Sequence, residues 1–278
     1  MFLALGKYCG IIGPVSKMDR SNIDKIAQNS DDRVLLAKLW DKIQAGLRKN
    51  IPANTGFLSP RELHMARYLF GNLEGLYAFG GYPEAERRML IYLPDYLEES
   101  ALYEQDSPLR CLHATFYDGD TPSHRDFLGA LMGSGISRES VGDICVGKGV
   151  CDFFVTEEMA SYILQNFTGA GRTKMHLEPI SLQDISIPEP EVKEVKDTLA
   201  SLRLDSVIGA GFKISRSLAC QYIAAGKAAI DGLPCEKADK LIEEGAKISV
   251  RGLGKILLKT VSGQTKKGRI WVVIHRYI

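Results

Sequence analysis

The stretch that decides the reading begins Arg203-Leu204-Asp205, continues Gly211-Phe212-Lys213-Ile214-Ser215-Arg216, and closes Val250-Arg251-Gly252-Leu253-Gly254-Lys255. Ser201 can cap a short helix over Leu202–Ala210 that stops at Gly211. Ser215 can cap a second, with Leu218, Ala219, Tyr222 and Ile223 as its apolar stripe and Gly226 as its stop. That stripe leaves Lys213, Arg216 and Gln221 available to solvent or a ligand. Arg216 falls in the first helical turn, beside unpaired backbone N–H groups, and the combination favours an anionic oxygen. Lys227–Ile230 reads as a brief strand turned by Asp231-Gly232, and Lys247–Arg251 as the next strand. Ile256–Val261 and Ile270–Tyr277 pair around a basic loop, Ser262–Arg269, that carries Lys266, Lys267 and Arg269. These spacings predict a small fold with its cations gathered on one side.

Outward from this stretch the charge balance changes sign. The chain has 278 residues and a net charge of +1. From Asp197 onward there are 14 Lys and Arg against 7 Asp and Glu, a net of +7, which leaves residues 1–196 at −6. A basic end joined to an acidic front is the outline of a polyanion-binding module on a carrier. Ile187-Pro188-Glu189-Pro190-Glu191 lies just before the turnover, and its prolines and alternating acids predict a linker over residues 187–196.

Ahead of the linker the period of the apolar residues divides the chain again. Asp19–Lys49 is amphipathic at helical spacing, Pro52, Asn54 and Gly56 mark a loop, and Ser59-Pro60 opens another helix that runs to Gly71. Residues 1–72 therefore read as a helical segment. From Leu76 short strands appear at Leu76–Phe79, Met89–Leu93 and Arg110–Tyr117. They are followed by a helix over His124–Leu131, a hairpin around Gly147-Lys148-Gly149, a helix from Thr156 to Asn166 and a strand over Lys174–Ile180. Interleaved strands and helices over 73–186 predict an α+β domain of ferredoxin-like or RRM-like kind. The whole chain is thus expected to be α+β.

Cys9, Cys111, Cys145, Cys151, Cys220 and Cys235 form no Cys-x-x-Cys pair, which argues against structural zinc and for buried thiols in a reducing compartment. No apolar run reaches membrane-spanning length, and Met1–Val15 lacks a positive n-region, so a cytoplasmic protein is expected. An enzyme finds little support. Gly133-Ser134-Gly135 reads as a helix stop rather than a cofactor loop. Asp126 beside Arg125 fits a helix-start salt bridge better than a catalytic acid. His113 and His124 lie near Asp118, Asp120 and Asp126, but those acids suit loop and cap roles better than a hydrolytic or metal site. No cofactor and no metal are expected.

The motif Arg-Leu-Asp, Gly-Phe-x-x-Ser-Arg-x-x-Ala, Ile-x-x-Gly-Lys, Asp-Gly, Ile-x-Val-Arg-Gly-x-Gly, over 198–259, resembles the S-four domain, the RNA-binding module of small-subunit ribosomal protein four. Further forward, Ser123-His124-Arg125-Asp126-Phe127-Leu128-Gly129-Ala130-Leu131-Met132-Gly133, Gly142-Asp143-Ile144, Phe79-Gly80-Gly81-Tyr82-Pro83-Glu84-Ala85-Glu86-Arg87 and Lys266-Lys267-Gly268-Arg269 resemble the YlmH family. That resemblance implies an S-four-type domain over 197–278 behind an RRM-like one. It also implies a non-enzymatic protein of the large ribosomal subunit that binds ribosomal RNA and tRNA in quality control of stalled subunits. Carried onto this chain, it makes Arg203 and Arg216 the strongest RNA contacts. Lys213, Ser215, Gln221, Lys227, Arg251, Lys255, Lys259, Lys266, Lys267 and Arg269 follow. Asp205 would repel a phosphate, so it is expected to orient a neighbouring cation or cap the helix. The alternatives are an RNA-modifying enzyme of pseudouridine synthase type and an adaptor, linked to cell division, whose acidic front binds a protein.

Overall fold

The computed structural model describes residues 19–104, 106–185, 187 and 192–277. The apolar Met1–Val15 and the proline pair of the expected linker lie outside those residues. The chain divides into two compact units, the first ending at Pro188 and the second beginning at Glu189. Helices mix with antiparallel sheets in an α+β protein.

The first unit opens with α1 (Ile23–Ile26) and α2 (Ser30–Lys49), then β1 (Ala53–Asn54) and α3 (Pro60–Phe70). Ser59 and Glu62 form a reciprocal capping box at the start of α3, with Pro60 in the first turn. Asp32, buried near the start of α2, accepts both Nη1 and Nη2 of Arg61 at 2.8 and 2.6 Å and so fastens α2 to α3. The strands β2 (Leu76–Phe79) and β3 (Met89–Tyr92) follow. β3 pairs with both β1 and β2, giving a three-stranded sheet that shares an apolar core with the helices. This differs from the expected division at residue 72. The 76–92 strands join the front segment because Thr55 and Ala53, read from sequence as loop, supply edge partners for Leu90 and Tyr92.

The rest of the first unit comprises β4 (Leu109–Thr115), α4 (His124–Gly133), β5 (Val141–Val146), β6 (Val150–Thr156), α5 (Glu157–Asn166), the short β7 (Gly169–Ala170) and β8 (Thr173–Lys174), and β9 (His176–Ile180). Its main sheet runs β5-β6-β4-β9, all antiparallel, from a β-α-β-β-α-β chain of ferredoxin-like kind. One face packs on α4 and α5 through Phe127, Phe153, Ile163 and Leu131. The other, which an RRM would leave open for stacked bases, is covered: Phe154, Cys111 and Leu109 share a core with Phe57, Phe79 and Met89. Asp143 secures that cover. Its carboxylate accepts from the backbone N–H of Glu86 at 2.6 Å and of Arg87 at 3.0 Å, and from the Tyr82 hydroxyl at 2.8 Å. The Gly80–Arg87 segment of the motif is therefore a structural latch.

The second unit comprises β10 (Val192–Leu199), α6 (Leu204–Phe212), α7 (Arg216–Ala224), β11 (Ala228–Ile230), β12 (Leu233–Pro234), β13 (Lys247–Val250), β14 (Gly254–Gln264) and β15 (Ile270–Tyr277). They build one antiparallel sheet in the order β10-β15-β14-β13-β11-β12. Residues 192–196, expected in the linker, are strand: every residue of β10 pairs with β15. Charged side chains suit an edge strand, which explains why Val-Lys-Glu-Val-Lys-Asp reads as linker. α6 begins at Leu204, later than the Ser201 cap predicts, and runs through Gly211 to Phe212, where Lys213 ends it in the left-handed conformation (φ 56°). It packs Leu204, Val207, Ile208 and Phe212 onto Ile256, Leu258, Val272 and Ile274. Gly211 is required there by close approach, since a Cβ would lie 2.7 Å from Ile256 Cδ1.

Candidate nucleic-acid interface

Asp205 organises the helical side of the second unit. Its carboxylate is 2% exposed within α6. It accepts from Arg203 Nε at 3.3 Å and Nη2 at 3.1 Å, from Arg216 Nη2 at 2.9 Å, and from the Ser206 hydroxyl at 3.1 Å. The Cys220 thiol lies 3.8 Å away. Arg203 is the residue preceding α6 and Arg216 the first of α7, so the tight turn between the helices brings together two guanidiniums thirteen positions apart. Two cations on one anion leave a net positive charge. The outward parts of both side chains stay accessible, at 38% for Arg203 and 59% for Arg216. The guanidinium fork donates in fixed directions, so a carboxylate behind it aims the remaining donors at a ligand in front.

Burial acts to raise the Asp205 pKa, but hydrogen bonds from Arg203, Arg216 and Ser206 outweigh it and hold the carboxyl down at about 2. A carboxyl depressed in the fold contributes stability above its unfolded pKa and loses it as the pH falls through the folded value. The contribution at neutral pH is about 2 kcal/mol, present above pH ~4 and gone near pH ~2. Urea unfolding of the full chain between pH 6 and 2 should show this loss, and Asp205→Asn should remove that part of the slope.

The other expected contacts disperse. Ser215 spends its hydroxyl on the backbone N–H of Leu218 as the cap of α7, and Gln221 is exposed further along that helix. Lys213 lines a shallow groove of about 510 Å³ between α6 and the β10 edge, with Glu194, Lys196 and Asp197. Lys227 places its ammonium 5.3 Å from the Tyr222 ring centroid, and its carbonyl accepts from Arg251 N at 2.9 Å, so these two cations are neighbours. Lys255 alternates with buried Ile256 and points to the sheet face away from α6, 5.9 Å from the Tyr277 ring centroid. Lys259 is exposed beside the bulge of β14, while Lys266 and Lys267 are exposed at the tip of the β14–β15 hairpin. Arg269 closes that tip, donating from Nε to Thr198 Oγ1 at 2.9 Å and from Nη2 to the Thr198 carbonyl. The cations therefore do not share one side, because strand alternation sends Lys255 to the face opposite α6. Asp205 orients cations as the sequence suggests; it is not the cap.

The residues weighed for catalysis do not converge. Asp126 closes a capping box with Ser123, in place of the expected salt bridge with Arg125. His113 Nδ1 is 2.5 Å from Asp152 on the covered sheet face. Cys145 and Cys151 sit on the paired strands β5 and β6, and burial pushes both thiols up, Cys145 to about 11. Among the described residues no group of three or more His, Cys, Asp or Glu could hold a metal ion, and no helix is long and apolar enough to cross a membrane. Sequence reasoning passed over Trp271, half exposed on β15, whose signal was an aromatic residue two positions from a basic tip.

The fold is α+β: a unit with a ferredoxin-like sheet is followed in the chain by an antiparallel sheet unit that carries a carboxylate-braced arginine pair. The family profile described as "Putative RNA-binding domain in YlmH" matches residues 120–184. The ribosome-associated protein quality control protein P2 of Bacillus subtilis (strain 168) is 33% identical over 224 residues, covering 80% of this chain and 86% of that protein. The solved structure of cell division protein ylmH from Streptococcus pneumoniae aligns with a TM-score of 0.46 at 18% identity, covering 58% of this chain and 98% of that one. The chain belongs to the YlmH family. The matched segment lies wholly in the first unit, where Arg125, Lys148, Arg172 and Lys174 are its exposed basic residues besides histidine.

Proposed function

We propose that this chain is a non-enzymatic RNA-binding protein that grips structured RNA, ribosomal RNA and tRNA, on the large ribosomal subunit during ribosome-associated quality control in the cytoplasm. The observation that carries the reading is the arginine pair aimed by Asp205. Its charge, fixed donor geometry and place in a stretch that carries a net +7 from Asp197 onward suit phosphate oxygens of a folded RNA. Family membership and the printed name of the Bacillus relative support the ribosomal setting. The S-four-type resemblance of 198–259 supports assigning the grip to the second unit. The exposed cations of the matched 120–184 segment add a second contact. Arg203, Lys213, Arg216, Gln221, Lys227 and Arg251 face RNA in this reading; Ser215 acts through the helix cap.

Sedimentation of the full chain with separated ribosomal subunits tests it. The chain should pellet with large subunits, not small ones, and log K should fall linearly with log salt, as release of counterions from phosphates requires. Equal pelleting with both subunits, or none with either at low salt, would contradict the proposal.

A further inference from the structure

The second unit has two faces, and the RNA grip proposed above uses only the helical one. Along β15, Val272 and Ile274 are buried under α6, so Trp271, Val273 and His275 point the other way. Trp271 is 50% exposed there. Its cross-strand neighbours are Thr198 on β10 and Ser262 on β14, both small and hydroxylated, and the half-buried Val273 is the next residue of β15 on this face, so the indole is flanked mainly by hydroxyls. Arg269 is fixed at its side, because the Thr198 hydroxyl that shares Trp271's row accepts from Arg269 Nε at 2.9 Å. These bonds use two of the five guanidinium donors. Lys266 and Lys267 stand at the adjoining tip, and residues 262–271 contain three cations and no acid. Three acids border this face and each is already engaged. Glu194, two rows along, pairs with Lys196 at 2.9 Å and lies 3.9 Å from His275. Asp197 accepts from the Thr198 N–H at 2.7 Å, and Glu244 accepts from the Val261 N–H at 2.7 Å at the β14 edge.

An exposed indole beside a held guanidinium, bordered by a cationic tip, is the chemistry of a base-stacking platform. A protein anchor would call for an apolar surround, which Thr198 and Ser262 do not give. We infer that the outer sheet face at Trp271 binds an unpaired stretch of RNA, one base stacked on the indole and its phosphates against Arg269 and the Lys266–Lys267 tip. The inference deepens the proposed function and rests on RNA being the ligand, but it uses a face that Arg203 and Arg216 do not share.

The chain has two tryptophans, Trp40 and Trp271, so full-length Trp40→Phe leaves Trp271 as the sole indole. Titration of this variant with a short oligouridylate should quench its emission saturably. Trp271→Ala should weaken oligouridylate binding about tenfold, and Trp271→Phe should restore most of the loss by keeping a stacking ring. Trp40 stacks on Phe70 with centroids 6.0 Å apart. If Trp40→Phe loosens that packing, the difference in quenching between the natural chain and Trp271→Phe gives the same readout. Absence of quenching by the oligouridylate, or equal quenching by a fully paired RNA duplex, overturns the inference; so does quenching by an acidic peptide but not by RNA. Neutralising Arg203 and Arg216 separates the two readings. Persistent quenching with loss of structured-RNA binding supports both faces. Persistent quenching with structured-RNA binding intact sinks only the helical one.

Discussion

Replacing Arg203 and Arg216 together should lower affinity for structured RNA roughly 100-fold, at about 1.5 kcal/mol for each charge-assisted hydrogen bond to phosphate that is removed. The slope of log K against log salt should also shrink by nearly two, one for each phosphate no longer neutralised. The design of the variant matters. Alanine at both positions strips Asp205 of its charged partners and leaves a carboxylate that is 2% exposed within α6. Such an orphaned charge costs several kcal/mol, so a plain double alanine could lose RNA by losing its fold. The Arg203→Gln, Asp205→Asn, Arg216→Gln triple variant avoids that, because amides can reconnect the cluster without a buried charge. Asp205→Asn alone separates geometry from charge. It makes the unit more positive, yet affinity should fall, because both forks lose the carboxylate that aims them. Filter binding of a structured ribosomal RNA fragment, alongside urea unfolding, reads both effects. Unchanged affinity in the folded triple variant would remove the arginine pair from the interface.

Gly81→Ala should destabilise the first unit by about 3 kcal/mol, summing the left-handed backbone cost and the overpacking. Gly81 has φ 96°, and a Cβ there would meet the Phe154 ring at 2.3 Å. That ring cannot yield easily, being fully buried and stacked on Tyr82 with centroids 5.3 Å apart. The midpoint of thermal unfolding of this unit should drop by about 10 °C. The effect bears on function because Phe154 lies on the sheet face that an RRM would offer to bases. If Gly81→Ala unfolds at the natural temperature, the face is not packed as described and RNA stacking on the central sheet returns as a rival account.

Local chemistry was legible in the sequence. Ser59 with Pro60, and Ser215 ahead of Leu218, announce helix starts because a cap is read within four residues. The α+β class followed from the change of period near Leu76, and the YlmH resemblance from motifs that the comparison with the Bacillus protein bears out. Partners far along the chain were not legible. β10 becomes strand only because β15 arrives some eighty residues later, and Ala53 and Asn54 are strand only because β3 returns beside them. Arg203 and Arg216 could be named from the motif. That one buried carboxylate joins them depends on the turn at Lys213, which folds α7 back against α6. Strand alternation separated Lys255 from the helical cations, a division that the charge count alone does not contain.

The most direct measurement of the central claim is ultraviolet crosslinking of the full chain to RNA in cells, with mass spectrometry of the crosslinked peptides and sequencing of the attached RNA. The account predicts ribosomal RNA and tRNA, attached through peptides that include Arg203 to Arg216. Crosslinks confined to messenger RNA, or to peptides within residues 120–184, would contradict it.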